Sequence, residues 1–255
     1  MANIAVARLE SALRERKLDR TLTTALPPLE RTDPSAVVGT GVAALDAVLQ
    51  GGLPRGQLSE IVGARSTGRT TLLLHLVAAA TVRGEIAALV DPFDRFDVQS
   101  AIGAGIDLDR LLWIRGDAIA RPDAGHHGAR DLRDRTLDRG VKALNLVLQA
   151  GGFGLVAIDL ADVPVIALKR LPFTTWLRVQ RTIEGSDTAC VLVVPEPLAR
   201  SAGGLTLTLA ARTWWVGSAD RSRRLGGVDI TTRIVSPRRR VEGEIAIRAV
   251  ATDSH

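Results

Sequence analysis

The stretch Leu58–Ala80, LSEIVGARSTGRTTLLLHLVAAA, sets two glycines, Gly63 and Gly68, five positions apart between two apolar runs. Glycines at that spacing let backbone N–H groups turn inward around phosphate oxygens at a helix N-terminus, which is the chemistry of a P-loop. Thr70 falls where a hydroxyl would hold Mg²⁺, with Thr71 beside it. Position 69 breaks the pattern, because Arg69 stands where a lysine's compact ammonium would reach the β- and γ-phosphates. Arginine keeps the charge but not the shape, since its planar fork is bulkier and prefers bidentate partners. A tight strand-to-helix turn with a threonine cap and no ligand accounts for the same residues. Further on, FGLVAID is an apolar run ending in Asp159. A carboxylate there sits at the C-terminal edge of a buried parallel strand, where the Mg²⁺ of a phosphate site lies.

The elements around these residues follow from periodicity and punctuation. Leu58–Val62 reads as a strand feeding the loop, Ile86–Val90 as a second strand, and ACVLVV as a third, ended by Pro195 and Pro197. Residues 116–140 are highly charged and hold almost no large apolar side chain before Leu132, so they read as a loop, with a helix starting near Leu132 or Leu137 and running to Gly151. Another helix opens at Thr174–Trp176. LTLTLAARTWWVG, VDITTRIV and EIAIRAV are alternating or β-branched runs that read as an antiparallel extension of the sheet. The expected fold is α/β with a mainly parallel sheet, a C-terminal antiparallel hairpin extension and an N-terminal helical arm. The arm, residues 1–35, places Ala2, Ala5, Val6, Leu9, Ala12 and Leu13 on one stripe ahead of a linker punctuated by Pro27, Pro28 and Pro34. That stripe packs either on its own core or on a neighbour, with Val6, Leu9 and Leu13 as the docking residues. Residues 36–255 form the core domain.

No run approaches the roughly 18 to 20 uncharged apolar residues that a membrane helix needs, so a cytoplasmic protein without membrane contact is expected. Cys190 is the only cysteine and sits in an apolar run, as a core residue would. His126 and His127 stand alone in a Gly-rich stretch, and no metal cluster is expected. The net charge of +5 is C-terminal: residues 200–248 carry ten arginines against Asp220, Asp229, Glu242 and Glu244. Two clusters, Arg221, Arg223 and Arg224, then Arg238, Arg239 and Arg240, are expected to form one patch on DNA phosphates, with Arg200 as a further contact. Solvated arginine-rich turns are the bland alternative.

The run VVGTGVAALDAVLQGGLPRGQLSEIVG followed directly by the P-loop resembles the approach to the core of RecA-type recombinases, and LVDPFDRFD and GAGIDLDRLLWIRG continue the similarity in order. The resemblance covers roughly residues 36–250 and implies a RecA-like P-loop core in which Gly63, Gly68, Arg69, Thr70, Thr71 and Asp159 would hold a nucleotide. It also exposes departures. The family places a catalytic glutamate two residues past the aspartate that ends its second strand, and here Asp91 is followed by Pro92 and Phe93, with Asp94 one position too far. The family's nucleotide-sensing glutamine is replaced by Val194, Pro195 and Glu196, and its second DNA loop is reduced to EPLARSAGGLTL, which keeps Gly203–Gly204. Arg238 falls near one of two lysine positions that in the family reach a neighbouring subunit's nucleotide, and Ser236 near the other. This pattern looks like the ImuA family of RecA-like accessories. The resemblance implies a non-catalytic adaptor in damage-induced translesion synthesis and the SOS response, located at the nucleoid. It would meet RecA, an ImuB-like Y-family polymerase homologue and DNA, and self-associate through the arm. ATP and Mg²⁺ are not required by it and bind only if the loop still holds them. The rivals are an active DNA-dependent ATPase, a recombinase paralogue, and a nucleotide-bound regulatory module of the clock type.

Overall fold

The computed structural model describes residues 36–116, 127–199, 201, 203–217, 223–236 and 241–250. Val6, Leu9, Leu13, Arg200, Arg221, Arg238, Arg239 and Arg240 lie outside the described residues. A short pair, β1 (Val37–Val38) and β2 (Leu53–Pro54), brackets α1 (Ala43–Val48). The main sheet is built from β3 (Leu58–Gly63), β4 (Ala87–Asp91), β5 (Leu111–Arg115), β6 (Leu155–Asp159), β7 (Ala189–Val194), β8 (Thr206–Val216), β9 (Arg224–Ser236) and β10 (Val241–Val250). Their order is β10-β9-β8-β3-β7-β6-β4-β5. The strands from β8 to β5 pair in parallel, and β9 and β10 add on antiparallel, as the sequence led one to expect.

Both faces of the parallel part are covered, which is why its strands read as unbroken apolar runs. In β7, Ala189, Val191 and Val193 point to one core and Cys190, Leu192 and Val194 to the other. The first core is closed by α1, by α2 (Arg69–Val82) through Leu72, Leu73, Leu76 and Val77, and by Ala101 of α3 (Val98–Gly103). The second is closed by α4 (His127–Ala150), α5 (Val165–Leu168) and α6 (Phe173–Ile183), with Leu144, Trp176, Val179 and Ile183 buried in it. Cys190 is fully buried there, and burial pushes its thiol up to about 12, as befits a packing residue.

One expectation needs correction. Helix α4 begins at His127, not near Leu132 or Leu137. Its first turns lack an apolar stripe because they are laid over with charge. Asp131 and Arg135 stand four apart, acid first, and Asp134 meets Arg170 of the α5–α6 connection at 2.9 Å. Core contacts resume at Leu137 and continue through Val141, Leu144 and Leu148. Of the two arginine clusters expected to form one patch, Arg221 and Arg238–Arg240 lie outside the described residues. Arg224 opens β9 and Ser236 closes it, and at about 3.3 Å per residue the two ends of this 13-residue strand are roughly 40 Å apart.

Candidate functional site: a braced P-loop

The loop between β3 and α2 lies at the C-terminal edge of the parallel strands. Gly63 must be glycine because a Cβ would stand 2.6 Å from the Leu209 carbonyl oxygen of β8 and from Thr67 Oγ1. Gly68 is needed twice over: its φ is +89°, and a Cβ would meet Ile230 Cδ1 of β9 at 2.7 Å. Packing against β8, β9 and the loop's own Thr67 therefore demands both glycines, whatever else the loop does. The threonine-cap alternative does not hold. Gly68 itself caps α2 with no side-chain bond, Thr67 Oγ1 donates to the Ala64 carbonyl at 2.8 Å, and Thr70 is exposed. Among the described residues, the amide N–H groups from Arg65 to Thr71 find no protein acceptor. Such a row at a helix N-terminus is an anion cradle.

Arg69, the anomalous residue, is 5% exposed and turned across the loop to β6, where its Nη1 donates to the Ala161 carbonyl at 2.8 Å. Burial lowers its pKa, while the carboxylates of Asp162 and Asp159 act to raise it. One residue pair farther out, Arg65 Nε meets Asp162 Oδ1 at 3.2 Å. Two arginines thus tie the P-loop to the turn after β6. Asp159 accepts from Ala161 N–H at 2.9 Å and is pushed up to about 6, mainly by burial and further by the neighbouring Asp91 and Asp162 carboxylates, against the opposing pull of that N–H and of Arg69. Asp91 is not available to a ligand: it is 1% exposed and accepts from Arg95 N–H and Phe96 N–H at 2.9 Å each and from Trp113 Nε1 at 3.3 Å.

These residues open on one cavity of about 550 Å³, lined by Arg65, Gly68, Arg69, Thr70, Thr71, Phe93, Arg95 and Asp159 among others. All six residues expected at a nucleotide, save Gly63 beneath the loop, reach it. Thr70 and Asp159 line it together, which suits Mg²⁺, an ion that takes one or two protein oxygens beside those of phosphates. Phe93, 6% exposed, forms the wall where the family places its glutamate. Asp94 does not replace it: φ is +55° there and both carboxylate oxygens accept from Arg115, at 2.5 and 2.8 Å. That pairing holds the Asp94 carboxyl below the ordinary range. Glu196 is likewise elsewhere, 3.0 Å from Lys169 Nζ.

Sequence reading missed three features. Arg95 faces the cavity, and its signal was its place two residues after Phe93 on the loop that Asp91 folds. Glu60, buried in β3, receives the N–H groups of Leu198 and Ala199 at 2.7 and 2.8 Å and so anchors the shortened loop after β7. At the far tip of β8–β9, Arg223 lies over the Trp215 ring at 5.8 Å, and Arg248, paired with Asp229, lies over Trp214 at 5.7 Å. Of the expected DNA contacts, Arg223 and Arg224 are described, exposed, at that tip.

A parallel sheet covered on both faces, with a P-loop after its first central strand and an acidic residue ending β6, defines a P-loop nucleoside-triphosphatase core. Residues 15–153 match the RecA N-terminal domain, and the chain belongs to that family. Among curated proteins it is similar to the RecA protein of Clavibacter michiganensis subsp. michiganensis, 37% identical over 127 residues, which are 49% of this chain and 30% of that protein. The RecA protein of Mycobacterium ulcerans is 34% identical over 131 residues, 51% of this chain and 33% of the relative. That of Leifsonia xyli subsp. xyli is 36% identical over 127 residues, 49% and 30% respectively. The chain thus spans about a third of the length of these relatives. Among the described residues, no helix is long and apolar enough to cross a membrane.

Proposed function

We propose that this chain is a RecA-like adaptor of the ImuA type, which holds a nucleotide without hydrolysing it and serves DNA repair through damage-induced translesion synthesis. The observation that carries this reading is the wall of the P-loop cavity opposite Thr70. A γ-phosphate can be hydrolysed only if a water is positioned and deprotonated in line with it. The residue offered at that place is Phe93, whose ring accepts no proton, and the nearest alternative, Asp94, is spent on Arg115. Arg69 supports the same conclusion, being held by the Ala161 carbonyl and not projected along the loop as a lysine would be. Mg²⁺ would sit between Thr70 and Asp159 and neutralise phosphate charge.

An adaptor needs surfaces in place of turnover. In this reading the N-terminal arm, through Val6, Leu9 and Leu13, docks on RecA or on a second copy of the chain. An ImuB-like polymerase homologue is the further protein partner. DNA phosphates meet the basic C-terminal extension through Arg223, Arg224, Arg238, Arg239 and Arg240. A pull-down with purified RecA and an ImuB-like protein tests this. The full chain should retain both proteins, and deletion of residues 1–25 should abolish retention of RecA. Equal retention of RecA by both forms contradicts docking through the arm, and retention of neither protein by the full chain contradicts the adaptor reading.

A further inference from the structure

Both cations of the P-loop line its cavity but are held by other groups. Arg69 is bound to the Ala161 carbonyl and Arg65 to Asp162, so neither long side chain that follows the loop is disengaged. The row of N–H groups from Arg65 to Thr71 remains, and an anion held there still needs a neutralising charge within a few ångströms.

That charge is present on the other side of the cavity. The loop Pro92–Phe96 is held from three directions: Asp91 accepts from its Arg95 and Phe96 N–H groups, Trp113 Nε1 closes on the same carboxylate, and Asp94 is forked onto Arg115. Asp94 adopts a left-handed φ of +55° to make this turn. A backbone so fixed on a non-glycine residue points its next side chain in a set direction. The next side chain is Arg95. It is exposed, and among the described residues its guanidinium has no hydrogen bond, ion pair or aromatic partner. It lines the 550 Å³ P-loop cavity and also a contiguous hollow of about 160 Å³ bounded by Thr71, Asp97 and Ser100.

We infer that Arg95 is the phosphate-binding cation of this chain, offering from the loop after β4 a disengaged guanidinium where Arg69 is held by the Ala161 carbonyl, and that the site recognises a nucleoside polyphosphate through it. The inference rests on the nucleotide-holding reading given above. A guanidinium fork on the loop after β4, together with the N–H row of the P-loop, would give bound phosphates two sets of donors. Because Phe93 lies two residues away on the same loop, the arrangement carries no base with it. Binding and hydrolysis are thereby separated at one turn of chain. Arg95 acts here as a binding residue.

Isothermal titration calorimetry on the full chain, with Mg²⁺ present, tests the assignment with ATP, ADP, inorganic triphosphate and adenosine. The parent should bind ATP. Arg95→Ala should lose roughly tenfold to a hundredfold in ATP affinity, the ordinary worth of one charge-assisted pair, and Arg95→Lys should recover most of the loss. Adenosine should bind both forms equally weakly. Inorganic triphosphate should follow the same ranking as ATP, and if it binds as tightly as ATP, the site recognises polyphosphate alone and the nucleoside part of the inference is wrong. Since the exposed Arg95 guanidinium has no hydrogen bond, ion pair or ring partner among the described residues, the thermal midpoint of ligand-free Arg95→Ala should equal the parent's, which separates lost binding from lost folding. An ATP affinity within twofold of the parent in Arg95→Ala overturns the role of Arg95 and leaves the nucleotide reading standing. No heat of binding from the parent at millimolar ATP overturns both.

Discussion

The most costly residue in the site is Asp159. Its carboxyl is pushed from an ordinary 3.8 up to about 6, chiefly by burial. A raised carboxyl pKa means that the folded chain holds the proton more tightly than the unfolded one. Its favourable contribution to folding is therefore complete below about pH 4 and lost as pH rises through 6. At pH 7 the ionised group strains the fold, by up to roughly 3 kcal/mol for a shift of about two units. Asp159→Asn keeps an oxygen for the Ala161 N–H and removes the charge. It should raise the thermal midpoint at pH 7 by several degrees, with the gain shrinking toward pH 4.5, as a melting series would show. An unchanged or lowered midpoint at pH 7 would show that the site solvates this carboxylate better than its burial implies. Asp159 could be picked out in the sequence because it ends an apolar run. Its partners could not, since Ala161 and Asp162 contribute through a turn whose shape no periodicity encodes.

Elements were legible where their apolar periods were complete. The four inner parallel strands β3, β4, β6 and β7 bury nearly every residue and the helix after the P-loop buries most of its own, so pattern and structure agree. The start of α4 was misread because its first turns are charged, with Asp134 paired to Arg170 and no apolar stripe to detect. The loop after β7 shows the other limit. Its shortness is visible in EPLARSAGGLTL, but its anchor is Glu60, more than a hundred residues earlier in a strand that reads as apolar. Replacing Glu60 by Leu keeps that strand's pattern and strands two backbone N–H groups, Leu198 and Ala199, without their acceptor. We expect a loss of about 2–4 kcal/mol in denaturant unfolding, from roughly 1–3 per buried donor left unpaired. A loss under about 0.5 kcal/mol would mean that water replaces the carboxylate and the loop is not anchored there.

At the scale of the whole molecule, the P-loop cavity opens at the C-terminal edge of the parallel strands, and the aromatic and basic tip of β8–β9 projects past that edge. Net charge gave the sum of the basic clusters but not that Arg223 and Arg224 fall at this tip, which only the strand pairing reveals. Similarity to RecA proteins covers the half of the chain that carries the P-loop, β4 and β5, and it is within this half that Arg69 and Phe93 depart from the catalytic pattern. The account stands on that combination: a core kept for its shape and its grip on a nucleotide, with hydrolysis lost. Steady-state ATP turnover of the full chain, with Mg²⁺ and saturating single-stranded DNA, tests it most directly. The account predicts no phosphate release above the rate of a protein-free control, whereas DNA-stimulated turnover of about 0.1 s⁻¹ or faster, within reach of ordinary enzyme rates, would contradict it.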